Sequence, residues 1–183
     1  VEVELAALEA YKTFFPAELS ARMAAKLGLA ADHPHARSLT DSTLQLLASE
    51  RVDYTLFWRR LSLWVQATRA APDTPPTHAR LAALQDLFID REAFNAWKNQ
   101  YSEQTIDNIK AVDIDLMLNA NPKYVLRNHL AQTAIAQAQT GDMTMVNNLL
   151  TVLATPFDEH PAHDAWAGLP PDWAASIEIS CSS

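Results

Sequence analysis

Asp53-Tyr54-Thr55-Leu56-Phe57-Trp58-Arg59-Arg60-Leu61-Ser62-Leu63-Trp64-Val65 is the stretch on which the fold of this chain turns. Tyr54, Phe57, Trp58, Leu61, Trp64 and Val65 recur at three and four residues, which lays them along one face of an α-helix. Arg59, Arg60, Gln66 and Arg69 fall largely on the other face. Asp53 stands where a helix cap is wanted, since its carboxylate can accept the free N–H groups of the first turn. Aromatic rings at this spacing read as core packing and not as a cofactor box. Burying each contributes roughly 1.5–3 kcal/mol.

Working outward, the pattern predicts helix after helix. Leu5, Leu8, Tyr11, Lys12 and Phe15 keep helical spacing, with Pro16 expected to break or restart the run. Leu19, Met23, Lys26 and Leu27 follow, and Gly28 reads as a C-terminal stop. Residues 30–39, with His33, Pro34 and His35, read as a loop, after which Thr40 or Asp41 caps a short helix carrying Leu44, Leu47 and Ala48. Beyond a connector holding Pro72, Pro75 and Pro76, helices are expected over residues 77–89 and, from Asp90 as cap, over 91–110, where Phe94, Trp97 and Tyr101 align. Asn121-Pro122 reads as another opening, an N-cap residue with proline at the first helical position, and that helix is expected to run to about Gln139. Gly141 can take the left-handed C-terminal conformation there, and Asp142 is expected to cap a last helix through Leu149, Leu150 and Leu153, forming a helical hairpin.

Past Thr155, Pro156, Pro161, Pro170 and Pro171 end the periodicity. The expected architecture is all-α: an irregular multi-helix bundle over residues 1–154 and an extended acidic tail over 155–183. That tail is expected to lie on the bundle through Phe157, Trp166 and Trp173, making one structural domain. No internal repeat of fixed period marks a solenoid.

Composition narrows the function classes. The chain has 183 residues, nearly half of them hydrophobic, with three glycines and ten prolines. That suits long helices separated by stops and argues against a β-sandwich or a glycine-rich α/β sheet. The net charge is −8 and unevenly placed: Arg127 is the last basic residue, and Asp142, Asp158, Glu159, Asp164, Asp172 and Glu178 follow it. An acidic surface repels phosphate backbones, so no nucleic-acid partner is expected. The acidic end reads as a solvated face, or else as a surface that docks on a basic domain. No stretch approaches a membrane span, and no membrane partner is expected. Val1 precedes Glu2 and Glu4, so neither a signal sequence nor a natural start is read there. With a single cysteine, no internal disulfide or thiolate metal cluster can form, and a reducing cytoplasm is the expected compartment.

The residues that could carry chemistry are few. Gly28, Gly141 and Gly168 stand far apart, so no glycine-rich loop can wrap phosphates, and neither a His-Arg-Asp nor an Asp-Phe-Gly triplet occurs. On a helical projection, Arg127 falls among Tyr124, Leu126, Leu130, Ala131, Ala134, Ile135 and Ala138, away from Asn128, His129, Gln132 and Gln139. A guanidinium on such a stripe has to find acceptors, because stranding a buried charge costs about 3–5 kcal/mol. It reads as a structural tie between helices, with contact to a substrate phosphate as the alternative. Asp158, Glu159, His160, His163 and Asp164 cluster, but Pro161 interrupts the spacing, so an acidic loop is the plainer reading than a metal site. His33-x-His35 is weaker still. Asp113-x-Asp115 lacks the remaining ligands of a calcium loop and fits a helix start.

Cys181 is hard to justify by packing: it lies two residues from the end of the sequence between serines, with Glu178 as its nearest charged side chain. The Ser180-Cys181-Ser182-Ser183 end resembles the selenoprotein O family, also called YdiU. The resemblance extends through Lys26-Leu27-Gly28-Leu29, Val52-Asp53-Tyr54-Thr55, the block Asn121-Pro122-Lys123-Tyr124-Val125-Leu126-Arg127-Asn128, and Gly141-Asp142. In that family the Cys-Ser-Ser terminus of bacteria corresponds to selenocysteine-Ser-Ser in many eukaryotes. The resemblance implies the C-terminal region of a kinase-like protein adenylyltransferase, an enzyme that moves AMP from ATP onto protein hydroxyls. ATP and Mg belong, on this reading, to the full-length protein, and no catalytic, cofactor-binding or metal residue is expected in this region. Its implied partners are an upstream kinase-like domain of the same polypeptide and, for the whole enzyme, protein substrates; the compartment is a bacterial cytoplasm. Cys181 is the implied redox residue, and Asn121, Pro122, Arg127 and Asn128 form the implied structural motif. Separated from its upstream partner, the region is expected to self-associate through bared apolar surface. The alternative is a non-catalytic helical interaction module, and a small metal hydrolase built on residues 158–164 is a remote third.

Overall fold

The structure is a computed structural model that describes residues 2–106 and 112–177. It is all-α, with no strand among the described residues. Two compact units divide at the Asn121-Pro122 junction, Val1–Asn121 and Pro122–Ser183. The sequence reading placed its boundary further on, between residues 154 and 155.

The first unit contains α1 (Glu2–Lys26), α2 (Ala36–Ser49), α3 (Tyr54–Ala70), α4 (Pro75–Gln85), α5 (Arg91–Tyr101), a π-helical turn (Ser102–Ile106) and α6 (Ile114–Ala120). Its core forms around α3. Phe57, Trp58, Leu61, Trp64 and Val65 are buried, whereas Tyr54, first on the same stripe, is 45% exposed with its ring edge-on to Trp58. The Phe57 ring meets Trp58, Phe88 and Trp97 with centroids 5.1, 5.9 and 5.4 Å away, in the edge-to-face arrangement that ring quadrupoles favour. Phe94, Trp97 and Tyr101 of α5 complete the layer, all buried. Two of the aromatic polar groups are satisfied inside it: Trp97 Nε1 donates to Thr43 Oγ1 at 2.9 Å, and the Tyr101 hydroxyl to the Leu27 carbonyl at 2.9 Å. Full burial pushes the Tyr101 phenol well above its ordinary value.

The caps are where local chemistry puts them. Asp53 accepts from Leu56 N–H, Asp90 from Glu92 and Ala93 N–H, and Asp113 from Leu116 N–H. Gly28 ends α1 at φ +74°, and the Leu29 N–H returns to the Ala24 carbonyl at 2.9 Å. Several boundaries depart from the sequence reading. The helix continues through Pro16, at the exposed end of α1, where water can take the Lys12 carbonyl that proline leaves unbonded. Helix α2 starts at Ala36, four residues ahead of Thr40, after His35, which makes no side-chain cap bond. Helix α4 takes Pro75 and Pro76 into its first turn, where their missing N–H groups cost nothing, and stops at Gln85 so that Phe88 can enter the core. Helix α5 gives way to the π-helical turn after Tyr101, and residues 107–110 of the helix expected to reach 110 lie outside the described residues.

The second unit contains α7 (Asn128–Gln139) and α8 (Thr144–Ala154), followed by 3₁₀ turns at Pro161–Ala167 and Asp172–Ser176. Gly141, at φ +90°, reverses the chain between the helices, and the Asp142 N–H bonds back to the Gln137 carbonyl at 3.1 Å. Met143, not Asp142, holds the cap position of α8; Asp142, one residue earlier, accepts from Thr144 N–H, and the Thr144 hydroxyl and amide bonds hold its carboxyl below its ordinary value. Leu130, Ala134 and Leu149 form a small apolar cluster that Trp166 covers. The tail is thus less extended than its prolines imply. Of its three large rings only Trp166 is packed on that cluster; Phe157 and Trp173 are 38 and 50% exposed.

Candidate functional site

The block singled out by sequence, Asn121 to Asn128, straddles the junction of the two units. Its parts behave differently on either side.

On the first side, Asn121 is fully buried. Its Nδ2 donates to the Lys26 carbonyl at 2.9 Å and to Ser62 Oγ at 3.0 Å, while its Oδ1 accepts from Lys26 Nζ at 3.2 Å. Lys26 Nζ also donates to the Ala120 carbonyl at 3.0 Å, and Arg59 reaches the Asn121 carbonyl at 3.3 Å. Two cations therefore sit on the carbonyl end of α6, where the helix dipole is negative. Lys26 lies 5.5 Å from the Tyr54 ring centroid and 5.7 Å from that of Trp58. Burial lowers its pKa. Sequence reasoning missed Lys26, Arg59 and Ser62 as partners of this block, because the signal is a meeting of residues far apart in the chain.

On the second side, the expected helix from Asn121-Pro122 is not formed: residues 122–127 are non-helical and α7 begins at Asn128. The reason is tertiary. The Asn121 carboxamide is engaged on Lys26 and Ser62 and cannot cap a helix. Within the second unit, the N–H groups of Lys123 and Tyr124 both donate to the Pro156 carbonyl, at 2.9 and 3.0 Å. Lys123 Nζ pairs with Glu159 and Asp164. Burial alone would lower the Lys123 ammonium, but the hydrogen bonds it donates to Asp164 and Glu159 outweigh that and raise it well above the ordinary lysine value. The Tyr124 hydroxyl donates to the His160 carbonyl at 3.2 Å, and their rings meet edge to face at 5.3 Å. Three of the five residues read by sequence as a possible metal loop, Glu159, His160 and Asp164, thus form a latch on Lys123 and Tyr124.

Arg127 does not lie on a core-facing helical stripe. It is the extended residue before α7, at φ −82° and ψ 144°, and is only half-buried. With Leu126, Asn128 and His129 it lines one wall of an open groove of about 630 Å³, whose other wall is Pro170, Pro171, Asp172, Ala174 and Ala175. The Trp173 ring stands edge-on to His129 at 6.0 Å. Burial, and then the Arg127 charge, hold the His129 imidazole below its ordinary value.

Among the described residues no three His, Cys, Asp or Glu side chains come together as a metal shell. The two carboxylates that do converge, Glu159 and Asp164, face an ammonium. Engaged on Lys123, these two carboxylates are not open to a metal in the way a Mg-nucleotide needs. No described helix is long and apolar enough to cross a membrane. Cys181 lies outside the described residues.

Comparison with known proteins supplies what the geometry leaves open. A protein named nucleotidyltransferase YdiU from Variovorax paradoxus (strain S110) is 51% identical over 182 residues, covering 100% of this chain and 35% of its own length. One of the same name from Albidiferax ferrireducens is 49% identical over 186 residues, again covering 100% and 35%. A third, from Paraburkholderia xenovorans (strain LB400), is 44% identical over 180 residues, covering 96% and 33%. The chain thus spans about a third of the length of the curated relatives it matches. The family model described as "Protein adenylyltransferase SelO" matches residues 2–154, and the chain belongs to that family.

Proposed function

We propose that this chain is the C-terminal helical region of a protein adenylyltransferase that moves AMP from ATP onto protein hydroxyls, in a bacterial cytoplasm. The region itself is non-catalytic: it buttresses a kinase-like domain of the same polypeptide and carries a redox-associated tail at Cys181. The observation that carries this reading is the family match over residues 2–154 in a chain spanning 35% of its YdiU relatives. ATP, Mg and the protein substrates are assigned to the rest of the enzyme. The engagement of Glu159 and Asp164 with Lys123 supports that assignment.

The test compares this chain with the whole polypeptide. Labelled ATP should leave AMP on protein acceptors with the full-length protein and none with the 183-residue chain, which should also show no heat of Mg-ATP binding by calorimetry. A stoichiometric micromolar ATP site on the chain alone, or no AMP transfer by the full-length protein, overturns the reading. The tail is tested separately: oxidised and reduced full-length enzyme should differ in activity, and Cys181→Ser should abolish the difference.

A further inference from the structure

Leu8, Tyr11, Phe15 and Leu19 follow one another along α1 at three, four and four residues, so they share a face. They are 51, 54, 45 and 48% exposed, and the Tyr11 and Phe15 rings stack with centroids 5.1 Å apart. Every residue from Leu8 to Ala17 is exposed, so this length of helix packs on nothing described. Pro16 sits inside it, and a proline within a helix costs about 3 kcal/mol. Helices of this kind draw most of their stability from an amphipathic face buried against something else. An exposed apolar stripe on a proline-bearing helix is therefore a face that lacks its cover.

The chemistry of the cover follows from the flanks. Lys12 pairs with Glu9 at 2.7 Å, and Arg22 lies 3.6 Å from Glu18. The charges beside the stripe are matched within the helix, so the occupant is apolar rather than a charged surface. Four half-exposed side chains of this size offer roughly 400 Å², about half of the roughly 800 Å² that each partner buries in a standard interface. That is small for two free copies. It suffices for a segment held nearby by the covalent chain, which meets the face at high effective concentration. The curated relatives are about three times as long as the part this chain covers, and the family match includes α1 from residue 2.

We propose that the Leu8-Tyr11-Phe15-Leu19 face of α1 is the seat for an apolar surface of the remaining two-thirds of the same polypeptide. This rests on the reading that the chain is one region of a longer adenylyltransferase.

The experiment uses the full-length protein with Tyr11→Cys, Phe15→Cys and, on the opposite side of α1, Thr13→Cys. Alkylation of each introduced thiol under native conditions is read by peptide mass spectrometry. Positions 11 and 15 should react about tenfold more slowly than position 13. Equal rates at the three positions, all fast or all slow, overturn the proposal. So does protection that disappears on dilution as sedimentation shows a dimer becoming monomer, because the seat is then filled by a second copy. Transfer of labelled AMP by the unsubstituted protein is measured in parallel. Protection at positions 11 and 15 without transfer supports the seat and refutes the enzymatic reading. Transfer with equal alkylation rates does the reverse.

Discussion

The Asn121 carboxamide nitrogen lies 2.9 Å from the carbonyl oxygen of Lys26, a residue ninety-five positions earlier in the chain. One buried side chain thereby joins the end of α1 to the end of α6, with Ser62 of α3 as a third party. Were Asn121 a helix cap, replacing it with alanine would cost about 1 kcal/mol. As a buried node it should cost more, because each buried group left without a partner carries a penalty of about 1–3 kcal/mol. Asn121→Ala is expected to destabilise the first unit by about 2–4 kcal/mol in chemical denaturation. A loss near 1 kcal/mol would return Asn121 to a capping role.

The two glycines with positive φ separate backbone strain from crowding. At Gly141 an added Cβ meets nothing within 4 Å, so Gly141→Ala should cost only its backbone conformation, about 1–2 kcal/mol. At Gly28 a Cβ would stand 2.8 Å from Val112 Cγ1 and 3.3 Å from the Asp113 carbonyl. Gly28→Ala adds overpacking of about 1–3 kcal/mol to the same backbone term. Denaturation midpoints should rank it clearly below Gly141→Ala, and equal midpoints would remove the crowding argument.

The helical projection puts Arg127 on a buried stripe, where Arg127→Met would cost less than Arg127→Ala. Its half-exposed place before α7 removes the cavity that would distinguish them. Both variants should fall within about 1 kcal/mol of the parent protein, as substitutions away from a packed core usually do. A loss of several kcal/mol in the alanine variant alone would restore the buried reading.

The His129 prediction concerns acid. Its folded-state pKa lies below the ordinary value, first through burial and then through Arg127. The unfolded chain therefore takes up the proton first, and the unfolded state binds more protons in the window between the two values. The contribution of His129 is full above about pH 6.5, the ordinary imidazole value, and is lost as pH falls through the folded value. Urea midpoints read by helical circular dichroism should fall with pH below that point, and less steeply for His129→Gln. Parallel profiles for the two proteins would dismiss His129 as the titrating group.

What the sequence disclosed was local, and what it hid was not. Asp53, Asp90 and Asp113 cap helices with their own carboxylates, and Phe57, Trp58, Leu61, Trp64 and Val65 announce a buried face by spacing alone. Gly28 and Gly141 stop helices through a backbone freedom that belongs to glycine itself. Asn121-Pro122 carries an equally good local signal and still fails to open a helix. The carboxamide is held by Lys26 and Ser62, and the next two N–H groups are held by Pro156. The start of α2 was missed for the opposite reason: His35 makes no side-chain cap bond, so nothing in the residue types marks it. The Lys123 latch needs two carboxylates from a loop that is read in isolation as acidic and solvated.

The reach from Lys26 to Asn121 also sets an order of events in folding. Helix α3 and helix α4 are neighbours in both chain and space, and bringing them together closes only a short loop. The bonds of Asn121 to Ser62 and Lys26 close loops of fifty-nine and ninety-five residues, so the entropy of long loops must be met before they return anything. They are expected to form after the barrier, and interactions absent there act on the rate of opening and leave the rate of closing almost unchanged. On that expectation Asn121 is a bolt rather than a guide: Asn121→Ala should speed unfolding of the first unit and leave its refolding rate almost unchanged.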